Sequence, residues 1–352
     1  MIKQSPPIDV SIPYDAAWVA NKTVLITGGA SGFGAGFVRH WAKNGATVIF
    51  GDVNTEKGDG LAREVRKETG NDRVHFIHCD VSDWQSQVNF FKEAVKLSPH
   101  GGIDTVVANA GVAHKDTLLS PGDLSAAEPA PPSLKTMDVN CTGVLYTVHL
   151  AYYWLPRNPG SEACSLDSDP VKQTRDRHLL LVGSLASLAP ITFATQYCAS
   201  KHAVLGLFRA LRGATQLHGV RINLLCPYFM DTPIVPPETR LLIAGGSLGK
   251  VEDVVDAGTR FVADSRVLGR ALVVGPKMSV KQSESGEWVV VDRGSEGSVE
   301  KALWEPCADD WFEQDPFNRT LIRALNAVQA ARGWSGWAYD IVKTVMYALG
   351  LK

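Results

Sequence analysis

Residues 22–34 read KTVLITGGASGFG, and this stretch decides the fold of the 352-residue chain. Its first half, Lys22–Thr27, is a short apolar run rich in β-branched residues, which is typical of a buried strand. Four glycines follow at positions 28, 29, 32 and 34 and lead into an amphipathic stretch, AGFVRHWAKNG. The sequence therefore predicts a strand, a glycine-rich turn and a helix that ends at Gly45, because glycine is favoured just past a helix C-terminus.

The alternation of strand and helix continues over most of the chain. Predicted strands lie at 47–52, 74–79, 104–108, 179–184 and 221–226, and predicted helices at 55–69, 84–98, 133–154 and 197–218. The strands are almost continuously apolar, which is the pattern of a parallel sheet covered by helices on both faces. We therefore predict an α/β fold, a Rossmann-type doubly wound parallel sheet that forms a single domain over residues 22–275.

Four segments fall outside this alternation. Residues 1–21 are Pro-rich and aperiodic and are predicted to form an N-terminal arm, while two polar stretches, 114–132 and 156–177, are predicted to be inserted loops. Residues 276–352 are predicted to form a C-terminal extension, which consists of a hairpin-like segment at 277–292 and two helical stretches near 318–332 and 336–350. The expected organisation is one domain with a helical extension.

Composition and charge exclude several kinds of partner. The chain has 35 Lys+Arg against 37 Asp+Glu, a net charge of −2, so no charge field favours nucleic acid. No run of 18 apolar residues occurs, which argues against a membrane span, and the first residues contain no signal-like apolar segment. The six cysteines are scattered without a CxxC pair, which predicts reduced thiols in a cytoplasmic protein and no metal site.

The glycine turn is the first candidate functional element. Glycine in this position allows a sharp turn and a close approach of the backbone to a pyrophosphate, which then lies at the positive end of a helix. A plain tight turn is the alternative, but the strand–turn–helix context favours a bound dinucleotide. The residues expected to hold it are Gly28, Ser31, Gly32, Phe33 and Gly34.

Asp52 ends the second predicted strand, 18 residues after Gly34. An acidic side chain there can accept hydrogen bonds from the adenosine ribose and would repel a 2′-phosphate. Neither Ser31 nor Val53 offers a 2′-phosphate a basic partner, so the sequence predicts NAD rather than NADP as the cofactor. The alternative is that Asp52 only caps the following helix.

Tyr197 and Lys201, in the segment YCASK, lie one turn apart on the same face of a predicted helix. A tyrosine with its usual pKa of about 10 is only ~0.1% ionised at pH 7, so a base for alcohol oxidation needs this pKa lowered by about 3 units. A lysine ammonium one turn away, together with a positively charged nicotinamide, supplies a field of the right sign. On its own such a pair is common and usually belongs to a helix surface, but a dinucleotide turn in the same chain favours a chemical role for it.

Together these motifs resemble the short-chain dehydrogenases/reductases, in their compact single-domain branch. The YCASKH segment (197–202) and the hairpin-like tail look most like the hydroxyprostaglandin-dehydrogenase-type members. The resemblance covers roughly residues 20–275, in the family's order, and rests on TGGASGFG (27–34), Asp52, Asp80-Val81, Asn109-Ala110-Gly111, Asn140, Ser184, YCASK (197–201), and Cys226-Pro227 with Thr232.

The resemblance implies a catalytic role for four residues. Tyr197 would be the general acid/base, and Lys201 would lower its pKa and hold the nicotinamide ribose. Ser184, thirteen residues before Tyr197, would orient the substrate oxygen and stabilise developing charge. Asn140 would support a water-linked proton path from Lys201. The alternatives are a strand-end hydroxyl for Ser184, with Ser187 as a substitute, and a packing amide for Asn140.

The remaining matches would contact the cofactor or brace the sheet beside it. Asp80 and Val81 would hold the adenine. Asn109, Ala110 and Gly111 would brace the strand ends, while the loop after Pro227, with Thr232, would contact the carboxamide.

Three features depart from the family pattern. Tyr228 replaces the usual glycine after the proline of the sixth strand, and Gly183 replaces the usual second serine before Ser184. Asn140 and Tyr197 are farther apart than in the family, which the 156–177 insertion explains. None of these departures removes a catalytic group.

The segments expected to wall the substrate pocket are 185–196, 228–250 and 112–120, and they are mostly apolar or neutral. Because no Arg or Lys cluster occurs there, we expect an apolar or aromatic substrate such as a steroid, lipid, terpenoid or polyketide. The apolar and aromatic candidates are Phe193, Tyr228, Phe229, Met230, Ile234 and Val235.

The predicted function is therefore an NAD-dependent oxidoreductase of secondary metabolism that interconverts a secondary alcohol and a ketone. A ketoreductase running in the reductive direction is one alternative. A sugar-type epimerase or dehydratase is another, but the glycine spacing argues against it. A non-redox cyclase, isomerase or cofactor-binding scaffold is the third, and the complete set of catalytic residues disfavours it.

By analogy with the family we expect a homodimer or homotetramer that associates through the helices near 133–154 and 200–218. Within 336–350, the apolar stripe Trp337, Ile341, Val345 and Leu349 favours packing on the core or on another subunit. A peripheral membrane contact is the weaker alternative, since only Lys343 and the terminal Lys352 are basic there.

Overall fold

The computed structural model describes residues 4–120, 122–230, 232 and 248–306, together with scattered positions between 320 and 346. Within these residues one sheet contains nine strands, whose order is β3-β2-β1-β4-β5-β6-β7-β8, with β9 also paired to β7. Strands β1 to β7 are parallel, whereas β8 and β9 run antiparallel to β7. The strands are β1 (Thr23–Thr27), β2 (Thr47–Asp52), β3 (Val74–His78), β4 (Thr105–Ala108), β5 (His178–Val182), β6 (Arg221–Pro227), β7 (Ala271–Gln282), β8 (Trp288–Val290) and β9 (Val299–Trp304).

Helices cover both faces of this sheet, each over its own apolar cluster. One cluster contains residues of α1 (Gly32–Lys43), α2 (Thr55–Thr69) and α7 (Val251–Ala263). The other contains residues of α3 (Trp84–Leu97), α5 (Gly143–Trp154) and α6 (Thr195–Ala214). A short α4 (Lys135–Met137) precedes α5, and 3-10 turns lie at Ala16–Val19, Leu155–Arg157, Leu185–Ser187 and Thr215–His218. The predicted doubly wound α/β fold is confirmed.

Two helical regions differ from the sequence-based expectation. The helix predicted over 133–154 contains a π-helical turn at Asp138–Thr142, between α4 and α5. Helix α7 lies beyond the segment interpreted as a pocket loop and was not predicted, although Val254 and Phe261 are buried in the core. The other predicted helices and strands lie within a few residues of those observed.

Strand β7 runs from Ala271 to Gln282 and passes without interruption through the boundary expected after residue 275. Its first part pairs with β6, and its second part pairs with β8 in the expected hairpin, with Val280 opposite Val290. Strand β9 pairs along the other edge of β7, where Leu303 lies opposite Val274. The extension therefore shares a strand with the Rossmann sheet and covers an edge that could otherwise pair with another chain.

The helical stretches expected near 318–332 and 336–350 lie partly outside the described residues. The described positions between 320 and 346 are helical, and their side chains are exposed. Of the predicted apolar stripe, Ile341 is described and is 41% exposed, while Trp337, Val345 and Leu349 are outside the described residues. In the described part of the chain, no helix combines the length and apolarity needed to cross a bilayer.

The N-terminal arm is bound to distant parts of the fold. The backbone N–H of Ile8 donates to Glu305 Oε2 at 2.6 Å, and Glu305 Oε1 lies 3.1 Å from Arg270 Nη1. The Tyr14 hydroxyl donates to Asp256 Oδ1 at 2.8 Å. The arm thus connects α7 to the segment that follows β9, although its sequence has no regular pattern.

The 156–177 insertion ends in a buried ion network at the amino-terminal edge of the sheet. The Asp176 carboxylate accepts hydrogen bonds from Lys22 Nζ at 2.9 Å and from Arg221 Nη2 at 2.7 Å. Asn158, at the other end of the insertion, donates to Asp104 Oδ1 at 2.8 Å. Burial alone would raise the pKa of Asp176, but the two cations hold it far below its usual range. Both ends of the insertion are therefore fixed to the sheet.

We expect Asp176→Asn to lower the free energy of unfolding by about 3–5 kcal/mol, because it leaves two buried cations without their counter-charge. Asp169 pairs with Lys172 at the surface, where the Lys172 side chain is 84% exposed, so the matched Asp169→Asn variant should cost less than about 1 kcal/mol. Urea unfolding followed by circular dichroism measures both losses. Equally small losses in the two variants would show that the buried network does not stabilise the fold.

Candidate active site

The candidate site lies at the carboxyl ends of the parallel strands and begins with the turn after β1. Gly28 has a φ of 65°, and a Cβ there would lie 2.6 Å from Ala110 Cα. A Cβ at Gly34 would lie 2.2 Å from the Gly28 carbonyl oxygen. Glycine is therefore required at both positions, and the turn brings the N-terminus of α1 close to the end of β4.

The start of α1 fits the pyrophosphate of a dinucleotide. Gly32 and Phe33 are its first two residues, and Ser31 occupies the N-cap position without making a side-chain capping bond. The first N–H groups of a helix have no acceptor within the helix, so they point towards an anion placed at its end. The predicted turn residues are thus together at one helix N-terminus.

Two side chains hold the ends of β1 and β4 together. Asn109 Nδ2 donates to the carbonyl oxygens of Thr27 and Gly28, both at 2.9 Å. Thr27 Oγ1 accepts from the backbone N–H groups of Asn109 and Ala110, both at 3.1 Å. The structure therefore places Asn109 and Ala110 where bracing was expected, with the Thr27 hydroxyl as their shared partner.

Asp52 faces the glycine turn from the end of β2. Its Oδ2 accepts from the Ala30 N–H at 3.1 Å and its Oδ1 accepts from the Asn54 N–H at 3.0 Å. The side chain that caps α2 is Asn54, which accepts from the Lys57 N–H at 2.9 Å. Each Asp52 oxygen has a second lone pair, so the fixed carboxylate can also accept a ribose hydroxyl.

Asp80 and Val81 follow β3 at the same edge of the sheet. Asp80 Oδ1 accepts from the N–H and the hydroxyl of Ser82, at 2.9 and 2.7 Å. Val81 is buried against Gly143, where a Cβ would lie 2.9 Å from Val81 Cγ2. Both residues therefore occupy the sheet edge at which an adenine was expected.

The π-helical turn Asp138–Thr142 carries Asn140, whose side chain is fully buried. Asn140 Oδ1 accepts from the Val112 N–H, and its Nδ2 donates to the Val112 carbonyl oxygen, both at 2.8 Å. Nδ2 also donates to Ser200 Oγ at 3.1 Å. A π turn inserts one extra residue into a helix and is frequent at functional sites. Asn140 thereby joins the segment after β4 to α6.

Sequence reasoning did not identify Ser200 as part of the site, and it included Val112 only in the expected pocket segment 112–120 and not as a partner of Asn140. Ser200 lies inside the YCASK segment, three residues after Tyr197, so its position on the helix was an available signal. Val112 contributes only backbone atoms, and no residue-type pattern marks such a contact.

Ser184 follows β5 and lies next to helix α6, which carries Tyr197. Its Oγ accepts from the Ala186 N–H at 3.1 Å, and its side chain is hydrogen-bonded to that of Tyr197. Ser187, the substitute candidate, is fully buried, and its Oγ accepts from the Ser184 N–H at 3.2 Å. Ser187 thus supports Ser184, whereas Ser184 contacts Tyr197.

Lys201 lies one turn beyond Tyr197 on α6 and is buried. Its Nζ donates to the Val182 carbonyl oxygen at 3.1 Å and lies 5.8 Å from the centroid of the Tyr197 ring. A Cβ at Gly111 would lie 3.5 Å from both Lys201 Nζ and Asn140 Oδ1. The ammonium and the amide therefore both lie near Gly111, where an added Cβ would be in ordinary van der Waals contact with each.

Burial controls the protonation of both ionisable groups. It raises the pKa of the Tyr197 phenol, and the hydrogen bond with Ser184 lowers that pKa only in part. Burial also lowers the pKa of Lys201 to about 8, although the nearby Cys226 thiol acts in the opposite direction. In the protein alone, the desolvation of the phenol outweighs the groups that favour its ionised form, whereas the lowered pKa expected for alcohol oxidation relies also on the positive charge of a nicotinamide.

The loop after β6 approaches the glycine turn. Pro227 ends the strand, and Thr232 is buried at a position where a Cβ at Gly32 would lie 3.8 Å from its side chain. Thr232 and the turn thus border the same space. Among the residues that the structure describes, no group of three His, Cys, Asp or Glu side chains is arranged to hold a metal ion.

The structure places the expected pocket residues in different environments. Phe193 is 90% exposed, and the rings of Tyr228 and Phe229 pack edge to face with centroids 5.1 Å apart. Met230 is buried in the core and forms a bridge with Gly249, so it contributes to packing rather than to an open wall. Ile234 and Val235 lie outside the described residues.

Comparisons with known proteins agree with this arrangement. The family model described as short chain dehydrogenase matches residues 22–240. The chain is 36% identical over 277 residues to a 5'-hydroxyaverantin dehydrogenase of Dothistroma septosporum, which covers 75% of this chain and 87% of that protein. It is 32% identical to the NADP-dependent dehydrogenase M3 of a Phoma species, over 73% of this chain and 76% of that protein. It is 28% identical to the 15-hydroxyprostaglandin dehydrogenase [NAD(+)] of Mus musculus, over 62% of this chain and 70% of that protein.

Among solved structures, the 3-ketoacyl-(acyl-carrier-protein) reductase of Brucella melitensis, complexed with NADH, superposes with a TM-score of 0.58 at 26% identity. The superposition covers 73% of this chain and 97% of that one. The chain therefore belongs to the short-chain dehydrogenase family, as its motifs indicated, and its fold implies a nicotinamide cofactor.

Lys201→Met keeps the length of the side chain but removes its charge, which tests the effect of burial. Because folding lowers the pKa of Lys201 from 10.5 to about 8, the charged lysine costs up to about 3 kcal/mol below pH 8. This cost shrinks between pH 8 and 10.5, because in this range Lys201 is mostly neutral in the folded protein but still protonated in the unfolded chain. We therefore expect Lys201→Met to be more stable than the wild type at pH 7, by a margin that falls towards pH 10.

Urea unfolding at pH 7, 8, 9 and 10 measures this margin. Lys67→Met, at an exposed position on α2, is the matched control and should show a difference from the wild type that does not vary with pH. A Lys201→Met margin that stayed constant over the same range would contradict the lowered pKa.

Proposed function

We propose that this protein is an NAD-dependent oxidoreductase that interconverts a secondary alcohol and a ketone on an apolar or aromatic, polyketide-like small molecule. One observation carries the proposal: Ser184, Tyr197 and Lys201 meet at the sheet edge that also bears the glycine turn. The two halves of a dehydrogenase site, a dinucleotide cradle and an acid/base group, are thus adjacent.

In this mechanism Tyr197 transfers the hydroxyl proton of the substrate. Ser184 shares a hydrogen bond with Tyr197 and holds the substrate oxygen beside it, so the developing negative charge faces two hydroxyl groups. When bound in the cradle, nicotinamide supplies the hydride acceptor for alcohol oxidation and the hydride donor for ketone reduction.

Lys201 and Asn140 are proposed to return the proton to solvent. Lys201 Nζ and Asn140 Oδ1 each lie 3.5 Å from the position that a Cβ of Gly111 would take, and water is proposed to link them there. Asn140 is held at both ends of its amide by Val112 and by Ser200, so its oxygen keeps a fixed orientation towards the lysine. A lysine with a pKa of about 8 can release a proton near neutral pH.

NAD is proposed as the cofactor because of Asp52. Its carboxylate is fixed by the Ala30 and Asn54 N–H groups at the position expected for the adenosine ribose. A 2′-phosphate would meet this negative charge, and the neighbouring Val53 side chain, 61% exposed, offers no cation. Relatives named for NAD and for NADP both occur, so this residue supports a choice that family membership leaves open.

An apolar or aromatic substrate is proposed from the segments beside Tyr197. Residues 185–196 contain no Lys or Arg, and the described residues after β6 present the aromatic pair Tyr228 and Phe229. The relative of highest identity given above is named a 5'-hydroxyaverantin dehydrogenase, which makes 5'-hydroxyaverantin a suitable first probe and supports the proposed role in secondary metabolism.

We further propose that the protein is a cytoplasmic homodimer or homotetramer. On α5, Leu145 and Tyr153 are 43% and 49% exposed, which gives this helix an apolar outer surface of the kind that association would cover. A monomeric mass in solution would contradict this assembly.

Tyr197→Phe should lower kcat for alcohol oxidation by a factor of about 10² to 10⁴, because it removes the proton-transfer group while preserving the ring. Turnover is measured as reduced-nicotinamide absorbance with a panel of secondary alcohols that includes 5'-hydroxyaverantin, and NADH binding by fluorescence should be unchanged. Tyr153→Phe, on the outer side of α5, is the matched control and should retain the wild-type rate. Substantial turnover by Tyr197→Phe would exclude Tyr197 as the acid/base.

The wild type should prefer NAD over NADP in kcat/KM by a factor of about 10² or more, since placing the 2′-phosphate of NADP against the Asp52 carboxylate costs several kcal/mol of binding free energy. Asp52→Ala combined with Val53→Arg should reduce this ratio strongly, because it removes the repelling carboxylate and adds a cation. Val53→Arg alone is the control and should change the ratio less. Equal kcat/KM for the two cofactors in the wild type would refute the proposed preference.

A further inference from the structure

Helix α6 begins only two residues before Tyr197, and its own sequence does not cap it. The N-cap residue is Ala194, which makes no side-chain hydrogen bond to the first turn. Phe193 precedes it with a φ of 65° and a side chain that is 90% exposed, so packing of that ring does not fix the entry to the helix. The first N–H groups of α6 therefore need an acceptor from elsewhere.

Asp116 supplies that acceptor from the segment after β4. Its Oδ2 accepts from the N–H of Gln196, the second residue of α6, at 3.0 Å, and the carboxylate is also hydrogen-bonded to Thr195. Its Oδ1 accepts from the Leu118 N–H at 2.9 Å, which fixes the side chain. Burial alone would raise the pKa of Asp116, but these hydrogen bonds hold it below its usual value. A charged carboxylate at a helix N-terminus is also favoured by the helix dipole.

The segment that carries Asp116 is itself fixed on both sides. Val112, four residues earlier, forms two 2.8 Å hydrogen bonds with the Asn140 side chain. Thr117 Oγ1 accepts from the Ser133 N–H at 2.9 Å. Asp116 therefore connects the start of α6 to an anchored part of the site.

We propose that Asp116 is a positioning residue for the reaction proposed above, on which this inference rests: by capping α6 it holds Tyr197 in line with Ser184. Tyr197 is the third residue of α6 and lies in the turn that frays when a cap is lost. Lys201 lies one turn deeper and is anchored by the Val182 carbonyl oxygen. Loss of the cap therefore displaces Tyr197 and leaves the cofactor cradle intact.

Asp116→Ala should lower kcat about five- to twenty-fold, the range expected for the loss of an N-cap, while KM for NAD changes less than about two-fold. Asp116→Asn keeps a side-chain carbonyl acceptor and should recover most of kcat, because Asn and Asp are similarly effective caps. Asp123 is the matched control. It accepts from the Ser125 N–H at 2.8 Å within its own loop, and Asp123→Ala should leave kcat unchanged.

The outcomes separate this inference from the proposed function. The positioning role is supported if the wild type and Asp123→Ala both turn over, while kcat is lowered in Asp116→Ala and restored in Asp116→Asn. If the wild type turns over and the kcat of Asp116→Ala lies within about two-fold of the wild-type kcat, the positioning role of Asp116 is overturned but the proposed function is not. If Asp116→Ala loses NADH binding as well as kcat, and Asp116→Asn restores neither, the substitution destabilises the protein generally and the positioning role is also overturned. No turnover in any variant, including the wild type, would overturn the proposed function and this role with it.

Discussion

The backbone of Gly28 touches the backbone of Ala110, and the rest of the site is arranged around this contact. Strands β1 and β4 are neighbours in the sheet but are separated in the chain by β2 and β3, so their connections diverge and open a crevice between them. A Cβ at Gly28 would lie 2.6 Å from Ala110 Cα and would force the strand ends apart. Asn109 and Thr27 close the same junction with four hydrogen bonds. The glycine turn, the segment that holds Asn140 and the end of β5 all take their positions from this point.

Most of the fold could be predicted because its signals are local. Strand β2 and helix α2 were predicted to the residue, since an apolar run and a helical period that ends at glycine need no knowledge of distant contacts. The N-terminal arm could be recognised only as an arm, because its anchor joins Ile8 to Glu305, 297 positions away, and an aperiodic sequence carries no signal for such a pairing. The π turn at Asp138–Thr142 was missed for a related reason: one extra residue barely disturbs the apolar pattern of a long helix.

The identities of the candidate site residues could be predicted, but the contacts between them could not. Spacing places Tyr197 and Lys201 on one helix face, and the order of the motifs brings Ser184 to the adjoining strand end. Spacing does not reveal that the Asn140 amide is held by the backbone of Val112, since backbone partners have no residue type. Spacing also does not reveal that burial raises the pKa of Tyr197 in the protein alone, because desolvation depends on the atoms that cover a group rather than on its neighbours in sequence.

Burial favours the uncharged forms of both Tyr197 and Lys201, and this has a consequence for the order of events. A neutral tyrosine is ready to donate a proton to a ketone, whereas accepting one from an alcohol requires the phenolate that burial opposes. A cation bound in the crevice favours the phenolate, and by linkage the phenolate favours the cation by the same free energy. Oxidised nicotinamide carries that positive charge and the reduced form does not. In the proposed mechanism the buried pair would therefore couple the ionisation of Tyr197 to the redox state of the cofactor, and the base for alcohol oxidation would form in the complex that can accept the hydride.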